Sequence, residues 1–140
     1  MNIVIMGPKG AGKSSIGRYL AETTGFQTIE TDALVEQLHE TRDGHHLSCR
    51  EIFAEHGEAF FRELEREAAQ QAAQNDWHLI ITGGAIMLDP DNRRLLRNDA
   101  LLVYLNAHPD ILWDRATQNG IPPWLTGPNG KQKYIEQLHY

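Results

Sequence analysis

The octapeptide at residues 7–14 constrains the fold of this chain more than any other feature of the sequence. It reads Gly-Pro-Lys-Gly-Ala-Gly-Lys-Ser, follows the apolar run at residues 3–6, and leads into a helical pattern from Lys13 onward. This order of strand, glycine-rich turn and helix matches the pattern G-x-x-x-x-G-K-[ST] over its full length. Glycines let the backbone N–H groups turn inward, and the N-terminus of the following helix favours negative charge. The sequence therefore predicts a phosphate-binding loop.

The pattern also assigns roles to single residues of this loop. Lys13 is expected to face solvent until it reaches the β- and γ-phosphates, and the hydroxyl of Ser14 is expected to bind Mg²⁺. A chance glycine-rich turn is the alternative, but the complete match between a strand and a helix favours phosphate binding. The residues expected to bind the nucleotide phosphates are Gly7, Gly10, Ala11, Gly12, Lys13, Ser14 and Ser15.

Short β-rich runs alternate with helical stretches along the chain, which is typical of a parallel sheet covered by helices. The run at residues 2–6 is apolar at nearly every position, so it is predicted to be a central strand, buried on both faces. Further strands are predicted at residues 26–30, 79–82 and 101–105. Helices are predicted at 13–23, from 31 onward, at 49–56, 58–74 and 92–97, from 109 onward, and at 131–139. Residues 1–140 are expected to form a single domain.

Acidic residues and glycines follow the predicted strands, at the edge of the sheet where ligands of such folds bind. Glu30 and Asp32 come after the second strand, and Gly83 and Gly84 come after the third. Two glycines allow a ligand to approach the backbone closely. Asp32 is equally compatible with an ordinary helix N-cap, so both interpretations stay open at this point. The Gly- and Pro-rich composition around residues 116–130 predicts a mobile lid over the site.

Composition and charge exclude several classes of function. The net charge of −6 argues against nonspecific binding of nucleic acid, which requires an excess of Lys and Arg. The sequence contains no run of about 18 apolar residues and no basic leader, so we expect a cytoplasmic protein with no membrane partner. The single cysteine, Cys49, excludes an internal disulfide and agrees with a reducing compartment. We expect a monomer that acts on a small-molecule substrate.

Histidines and the cysteine are concentrated in one polar segment and raise the question of a zinc site. His39, His45, His46 and Cys49 lie close together in the sequence, but their spacing matches no paired-ligand pattern. A solvated loop is therefore the expected structure of this segment.

Several separate motifs give the chain an end-to-end resemblance to the shikimate kinase family of small-molecule kinases. Besides the loop, the matching segments are 16–21 (Ile-Gly-Arg-Tyr-Leu-Ala), 30–32 (Glu-Thr-Asp), 52–53 (Ile-Phe), 57–65 (Gly-Glu-Ala-Phe-Phe-Arg-Glu-Leu-Glu) and 82–84 (Thr-Gly-Gly). In the C-terminal part, the residues that resemble the family's ATP-side arginine, lid and following helix are Arg115, Pro123, Leu125, Gly127, Pro128, Lys133 and Tyr134.

The resemblance implies a function and a site. It implies phosphorylation of the 3-hydroxyl of shikimate by ATP with Mg²⁺, with Lys13 and Asp32 as the catalytic residues. By this resemblance, Lys13 and Ser14 would bind ATP and Mg²⁺, and Glu30 would hold a water molecule on Mg²⁺. Asp32 would take the acceptor hydroxyl, and Arg62 would bind the substrate carboxylate. Gly83 and Gly84 would contact the substrate, and Arg115 would lie over adenine. A surface charge paired along its own helix is the alternative for Arg62. A kinase for another small hydroxylated acceptor, or a nucleotide-binding protein with little kinase activity, are the alternative functions.

Four departures from the family pattern modify these expectations. Pro122 stands where the family's lid carries an arginine. The loss of such an arginine can lower the rate of phosphoryl transfer by about 10³-fold. Glu30 replaces an aspartate, and Ala85 replaces the third glycine of a turn. The sequence also ends before the stretch where the family places a second carboxylate-binding arginine, a fifth strand, an adenine-side loop and a last helix. We therefore predict a three-layer α/β P-loop fold with strand order 2-3-1-4 and the fifth strand missing.

Overall fold

The computed structural model describes residues 1–138, which form a parallel sheet flanked by helices. The strands are β1 (Asn2–Met6), β2 (Gln27–Glu30), β3 (His78–Ile81) and β4 (Ala100–Tyr104). The helices are α1 (Lys13–Thr24), α2 (Thr31–Asp43), α3 (Cys49–His56), α4 (Glu58–Ala73), α5 (Pro90–Arg97), α6 (Pro109–Ala116) and α7 (Gly130–Glu136), with short 3₁₀ helices at Ile86–Leu88 and Pro123–Leu125.

The sheet has the predicted topology. Its strand order is β2-β3-β1-β4, and all three pairings are parallel. Ile5 of β1 pairs with Ile81 of β3, which in turn pairs with Glu30 of β2. The carboxyl ends of β1, β2 and β3 therefore lie at the same edge, which brings the loop after β1 next to the residues that follow β2 and β3. This finding confirms the predicted fold class.

Apolar periodicity explains where the core lies. Val4 and Ile5 are fully buried in the central strand, and α4 contributes a stripe at the helical spacing that packs with α2, α3 and the sheet. A separate cluster joins α6, the 3₁₀ turn at Pro123–Leu125 and α7. Within residues 1–138, α4 thus takes part in two core clusters, one against the sheet and one against α2 and α3, and a third cluster lies beneath the lid.

The ends of the elements differ from the predictions by one to three residues, for identifiable reasons. Helix α5 begins at Pro90 because the side chain of Asp89 accepts a hydrogen bond from the N–H of Asp91 and proline suits the first helical position. The capping box of Ser48 and Glu51 opens α3 as its sequence predicts. Helix α7 ends at Glu136 and residues 137–138 form a turn, so the predicted helix is too long there; its predicted end, His139, lies outside the described residues.

None of the helices within residues 1–138 has the length and apolar character that crossing a membrane requires.

Candidate active site

A cavity of about 430 Å³ lies at the carboxyl edge of the sheet. Its walls come from the loop after β1, the first residues of α2 and α3, one face of α4, the turn after β3, the lid and α7. The predicted site residues that line it are Gly10, Gly12, Lys13, Ser14, Ser15, Glu30, Asp32, Arg62, Gly83 and Gly84. Residues from four separate stretches of the sequence therefore meet in one space.

The loop at residues 7–14 has a conformation that suits an anion. Gly12 has a φ of 94°, a left-handed conformation that glycine adopts at little cost. Lys13 is only 8% exposed, and its Nζ donates hydrogen bonds to the backbone oxygens of Gly7 (2.8 Å) and Pro8 (3.0 Å). The expectation that Lys13 faces solvent is therefore wrong, because the loop carbonyls hold its ammonium inside. Burial lowers the pKa of Lys13 to about 8, against the opposing charge of Asp32.

Three predicted nucleotide residues do not line the cavity among the described residues. Gly7 faces β4, where a Cβ atom would lie 2.4 Å from the backbone oxygen of Leu105. Ala11 packs with the cluster beneath the lid. Arg115 is exposed on α6, and its Nη1 lies 3.4 Å from the backbone oxygen of Gly10. Gly7 and Ala11 thus shape the loop from behind, and the adenine contact of Arg115 stays a prediction.

Asp32 is positioned by the first turn of α2. The residue at the N-cap of this helix is Glu30, and no side chain in residues 1–138 caps it, so the N-cap interpretation of Asp32 is wrong. The hydroxyl of Thr31 accepts a hydrogen bond from the N–H of Gly83 (2.8 Å), which ties the turn after β3 to the start of α2. A Cβ atom on Gly83 would lie 2.2 Å from Oδ1 of Asp32. Glycine is therefore required here to leave room for the carboxylate.

The carboxylate of Asp32 has a mixed electrostatic environment. It is open to the cavity, yet the surrounding walls replace much of its water, and this desolvation raises its pKa. The nearby ammonium groups of Lys13 and Lys9 lower the pKa, while Glu36 and Glu30 raise it. Lys9 also lowers the pKa of Lys13. Two cations at one end of the cavity thus face an acid that can accept a proton.

Arg62 extends from α4 into the cavity and is held there by Glu65. Its Nη1 lies 2.6 Å from Oε2 of Glu65 and its Nη2 lies 3.6 Å from Oε1 of Glu58. Glu65 is 4% exposed, and burial raises its pKa to about 7 although Arg62 lowers it. The pairing along the helix that was the alternative for Arg62 does occur, but the pair faces the cavity and not the outer surface.

The lid covers the cavity through aromatic packing. Trp124 stacks on Phe61 of α4 with ring centres 6.1 Å apart and meets Phe53 of α3 edge-on at 5.4 Å. Arg50 donates from Nη1 to the backbone oxygen of Asn119 (3.1 Å). Pro122 is buried, and the described lid residues that line the cavity are Trp124 and Leu125.

Sequence reasoning missed several residues of the cavity wall. Cys49 donates its thiol to the backbone oxygen of Asp32 at 3.4 Å, and its backbone N–H donates to Oε1 of Glu36 at 3.0 Å. Burial and nearby carboxylates raise the pKa of this thiol, so Cys49 is a structural residue rather than a nucleophile. The hydroxyl of Tyr134 donates to the backbone oxygen of Lys9 (2.5 Å). The apolar stripe that flanks Glu65 was the available signal for its burial.

These observations define the class of protein. A parallel sheet in the order 2-3-1-4, a phosphate-binding loop after the central strand, and an acid beside that loop are the parts of a P-loop phosphotransferase. Two lid residues, Trp124 and Leu125, and the arginine Arg62 also line the cavity, which suits a small anionic acceptor.

Comparison with known proteins identifies the family. The model of the shikimate kinase family matches residues 9–140, and the chain belongs to that family. It is 40% identical over 131 residues to the shikimate kinase of Symbiobacterium thermophilum, covering 92% of this chain and 72% of the relative. It is 34% identical over 137 residues to that of Caldanaerobacter subterraneus, covering 98% and 77%. The structure of Acinetobacter baumannii shikimate kinase in complex with shikimate superimposes with a TM-score of 0.80 at 29% identity, covering 99% and 80%.

Proposed function

We propose that this chain transfers the γ-phosphoryl group of ATP to the 3-hydroxyl of shikimate. Family membership supports a kinase, and the related structure from Acinetobacter baumannii holds shikimate. The observation that carries the proposal is the cavity itself, which presents Lys13, Asp32 and Arg62 to a common space. Each of these three side chains matches one part of the reaction.

In this proposal, Lys13 binds the phosphates of ATP. Its ammonium occupies the centre of the loop, bonded to carbonyls that a triphosphate would replace as partners. The pKa of about 8 leaves most of the lysine charged at pH 7, and bound phosphate raises the charged fraction further. A cation here stabilises the charge on the oxygens of the transferring phosphoryl group.

Asp32 serves the acceptor hydroxyl. The hydroxyl oxygen forms a bond to the γ-phosphorus while the bond from that phosphorus to the β–γ bridging oxygen breaks, and ADP leaves with that oxygen. The proton of the hydroxyl passes to the carboxylate of Asp32. The turn at Gly83 leaves space for this carboxylate, so a substrate lying against the turn would bring its hydroxyl within reach.

Arg62 serves the acceptor carboxylate. Its side chain is 23% exposed and lines the cavity, and its Cζ lies 5.5 Å from the centre of the Phe61 ring. A planar guanidinium can bind a carboxylate through two parallel hydrogen bonds. Glu65 holds Nη1 of the guanidinium closely, whereas Nη2 has only the longer contact with the exposed Glu58, which a substrate carboxylate would replace.

Mg²⁺ fits the oxygen ligands near the loop. Ser14 and Glu30 both line the cavity, and hard oxygen ligands of the kind that they carry suit Mg²⁺. When bound, Mg²⁺ would offset the negative charge of the phosphates during transfer. We propose Ser14 as a direct ligand and Glu30 as the holder of a metal-bound water.

The lid supports one alternative, a nucleotide-binding protein with little kinase activity. Pro122 is buried and carries no charge, so it supplies nothing to the phosphoryl group. Lys9 and Arg50 line the cavity and are the remaining cations that can compensate in part. We retain the kinase as the proposed function because Asp32 and Arg62 are both in place.

A coupled assay of ADP release, with and without shikimate, tests the proposal. We expect ADP release that depends on shikimate, and a loss of at least about 10²-fold in kcat for Asp32→Asn, the lower end of what a general base contributes. ADP release that ignores shikimate but responds to another hydroxylated acid would favour a different acceptor. ATP binding without turnover on any acceptor would favour the nucleotide-binding alternative.

The remaining expectations concern state and location. We propose that the protein is active as a monomer. We also propose that the protein works in the cytoplasm, because it consumes ATP and carries a free thiol at Cys49.

A further inference from the structure

A cluster of three side chains lies at the far end of α2, away from the cavity. His39 and Asp43 occupy successive turns of α2, and His56 is the last residue of α3. Nε2 of His39 is 3.0 Å from Oδ2 of Asp43 and 3.0 Å from Nε2 of His56, and the latter nitrogen is 3.5 Å from the same Oδ2. The three potential ligand atoms thus form a nearly equilateral triangle.

Hydrogen bonding alone cannot satisfy this triangle. Each contact needs one proton from one of its two atoms, and Oδ2 of an ionised carboxylate supplies none. If only Nε2 of His39 carries a proton, the lone pair on Nε2 of His56 faces Oδ2. If Nε2 of His56 carries a proton as well, the two N–H groups point at each other. At least one of the three contacts is therefore unfavourable when both rings are neutral.

A metal ion satisfies all three atoms at once, because each then offers a lone pair. Ligand atoms at zinc distances of about 2.0–2.1 Å in a tetrahedron lie about 3.3 Å from one another, close to the observed 3.0 to 3.5 Å. Metal-binding helices also use ligands at positions i and i+4, which is the spacing of His39 and Asp43. We propose that His39, Asp43 and His56 bind Zn²⁺, with water as the fourth ligand.

The surroundings hold the ligands in place. The ring of Phe60 stacks on His56 with centres 4.3 Å apart and meets His39 edge-on at 6.4 Å. The side chain of His39 is 1% exposed, and its Nδ1 has no partner within residues 1–138, so the polar contacts of the ring are all on the Nε2 side. Asp43 is 42% exposed, which leaves an approach for the ion and its water.

This site is separate from the Mg²⁺ position proposed near Ser14. Asp32 and Asp43 are eleven residues apart on one helix, which places the cluster about 16 Å along α2 from the acid of the active site. The ion would join the C-terminal ends of α2 and α3, whose N-terminal ends carry Asp32 and Cys49 into the cavity wall. Its role is to fix the angle between these two helices, and it does not rest on the proposed reaction.

Competition between the protein and a chromophoric chelator for Zn²⁺, in the presence of excess Mg²⁺, tests the proposal. We expect one Zn²⁺ per wild-type chain and an affinity lower by about 100-fold or more in Asp43→Asn and in His56→Gln, since even indirect partners of a metal are worth 10–100-fold. His45→Gln is the matched control, because His45 is exposed in the next loop and lies outside the cluster; its affinity should equal that of the wild type.

Thermal unfolding provides a second measurement. Zn²⁺ should raise the Tm of the wild type and of His45→Gln, and should leave that of Asp43→Asn unchanged. The exposed Asp43 tolerates asparagine, so this variant decides the question even if His56→Gln unfolds. A wild-type chain that binds no Zn²⁺, or equal affinity in the wild type and Asp43→Asn, would overturn the proposal.

Discussion

Replacement of Glu65 by glutamine tests whether the carboxylate beneath Arg62 is as strongly desolvated as its position indicates. Glu65 is 4% exposed and sits in the apolar stripe of α4, with the guanidinium of Arg62 as its charged partner. Glutamine preserves the shape and can still accept a hydrogen bond from Arg62, but it does not ionise. The variant therefore removes the titration and keeps the packing.

The magnitude follows from the shift of the pKa from 4.5 to about 7. A carboxyl whose pKa is higher in the folded state holds its proton more tightly there, so its contribution to stability is fully present below pH 4.5 and is lost as the pH rises to about 7. At about 1.4 kcal/mol for each pKa unit, the free energy of unfolding of the wild type should fall by about 2 to 3 kcal/mol relative to Glu65→Gln between pH 5 and pH 8.

Unfolding in urea at pH 5 and at pH 8, monitored by circular dichroism, measures this difference. Glu63→Gln is a suitable control, because Glu63 lies on the same helix with its side chain 69% exposed and its replacement should change stability little at either pH. If the difference in unfolding free energy between the wild type and Glu65→Gln changed by less than about 0.5 kcal/mol from pH 5 to pH 8, the reasoning would be refuted, because water would then reach the carboxylate of the wild type.

Four further predictions concern the active site. Lys13→Ala should abolish tight ATP binding in calorimetry while circular dichroism stays native; unchanged affinity would contradict the phosphate assignment. Arg62→Lys should raise the KM for shikimate by about tenfold or more with little effect on that for ATP, because a point charge replaces a two-pronged contact; equal effects on both constants would count against it. Gly83→Ala should lower kcat far more than Gly84→Ala, since only the former places a Cβ 2.2 Å from Asp32. Because Pro122 supplies no charge, wild-type kcat should be below about 10 s⁻¹, and an ordinary rate would mean that Lys9 or Arg50 replaces the arginine.

The sequence alone was sufficient for the fold and for the set of residues that meet at the loop edge of the sheet. The loop at residues 7–14, the run at 2–6 and the strand ends at Glu30 and Gly83 are local signals, and parallel strands bring their carboxyl ends together whatever the details of packing. Loop, acid and glycine turn could therefore be placed at one edge of the sheet before the structure was known.

The tertiary structure decided what depends on the angles between helices. The packing of α2, α3 and α4 and of the lid determines whether Glu65 is buried, whether Trp124 stacks on Phe61, and which residues contact His39. His39 lies near three other candidate ligands in the sequence, yet its partners are Asp43, one turn away, and His56, on another helix. Spacing along the chain predicts which residues share a helix face, but contacts between helices depend on distant residues that pack together. The charge state of Glu65 and the metal-binding triangle therefore appear only in the folded chain.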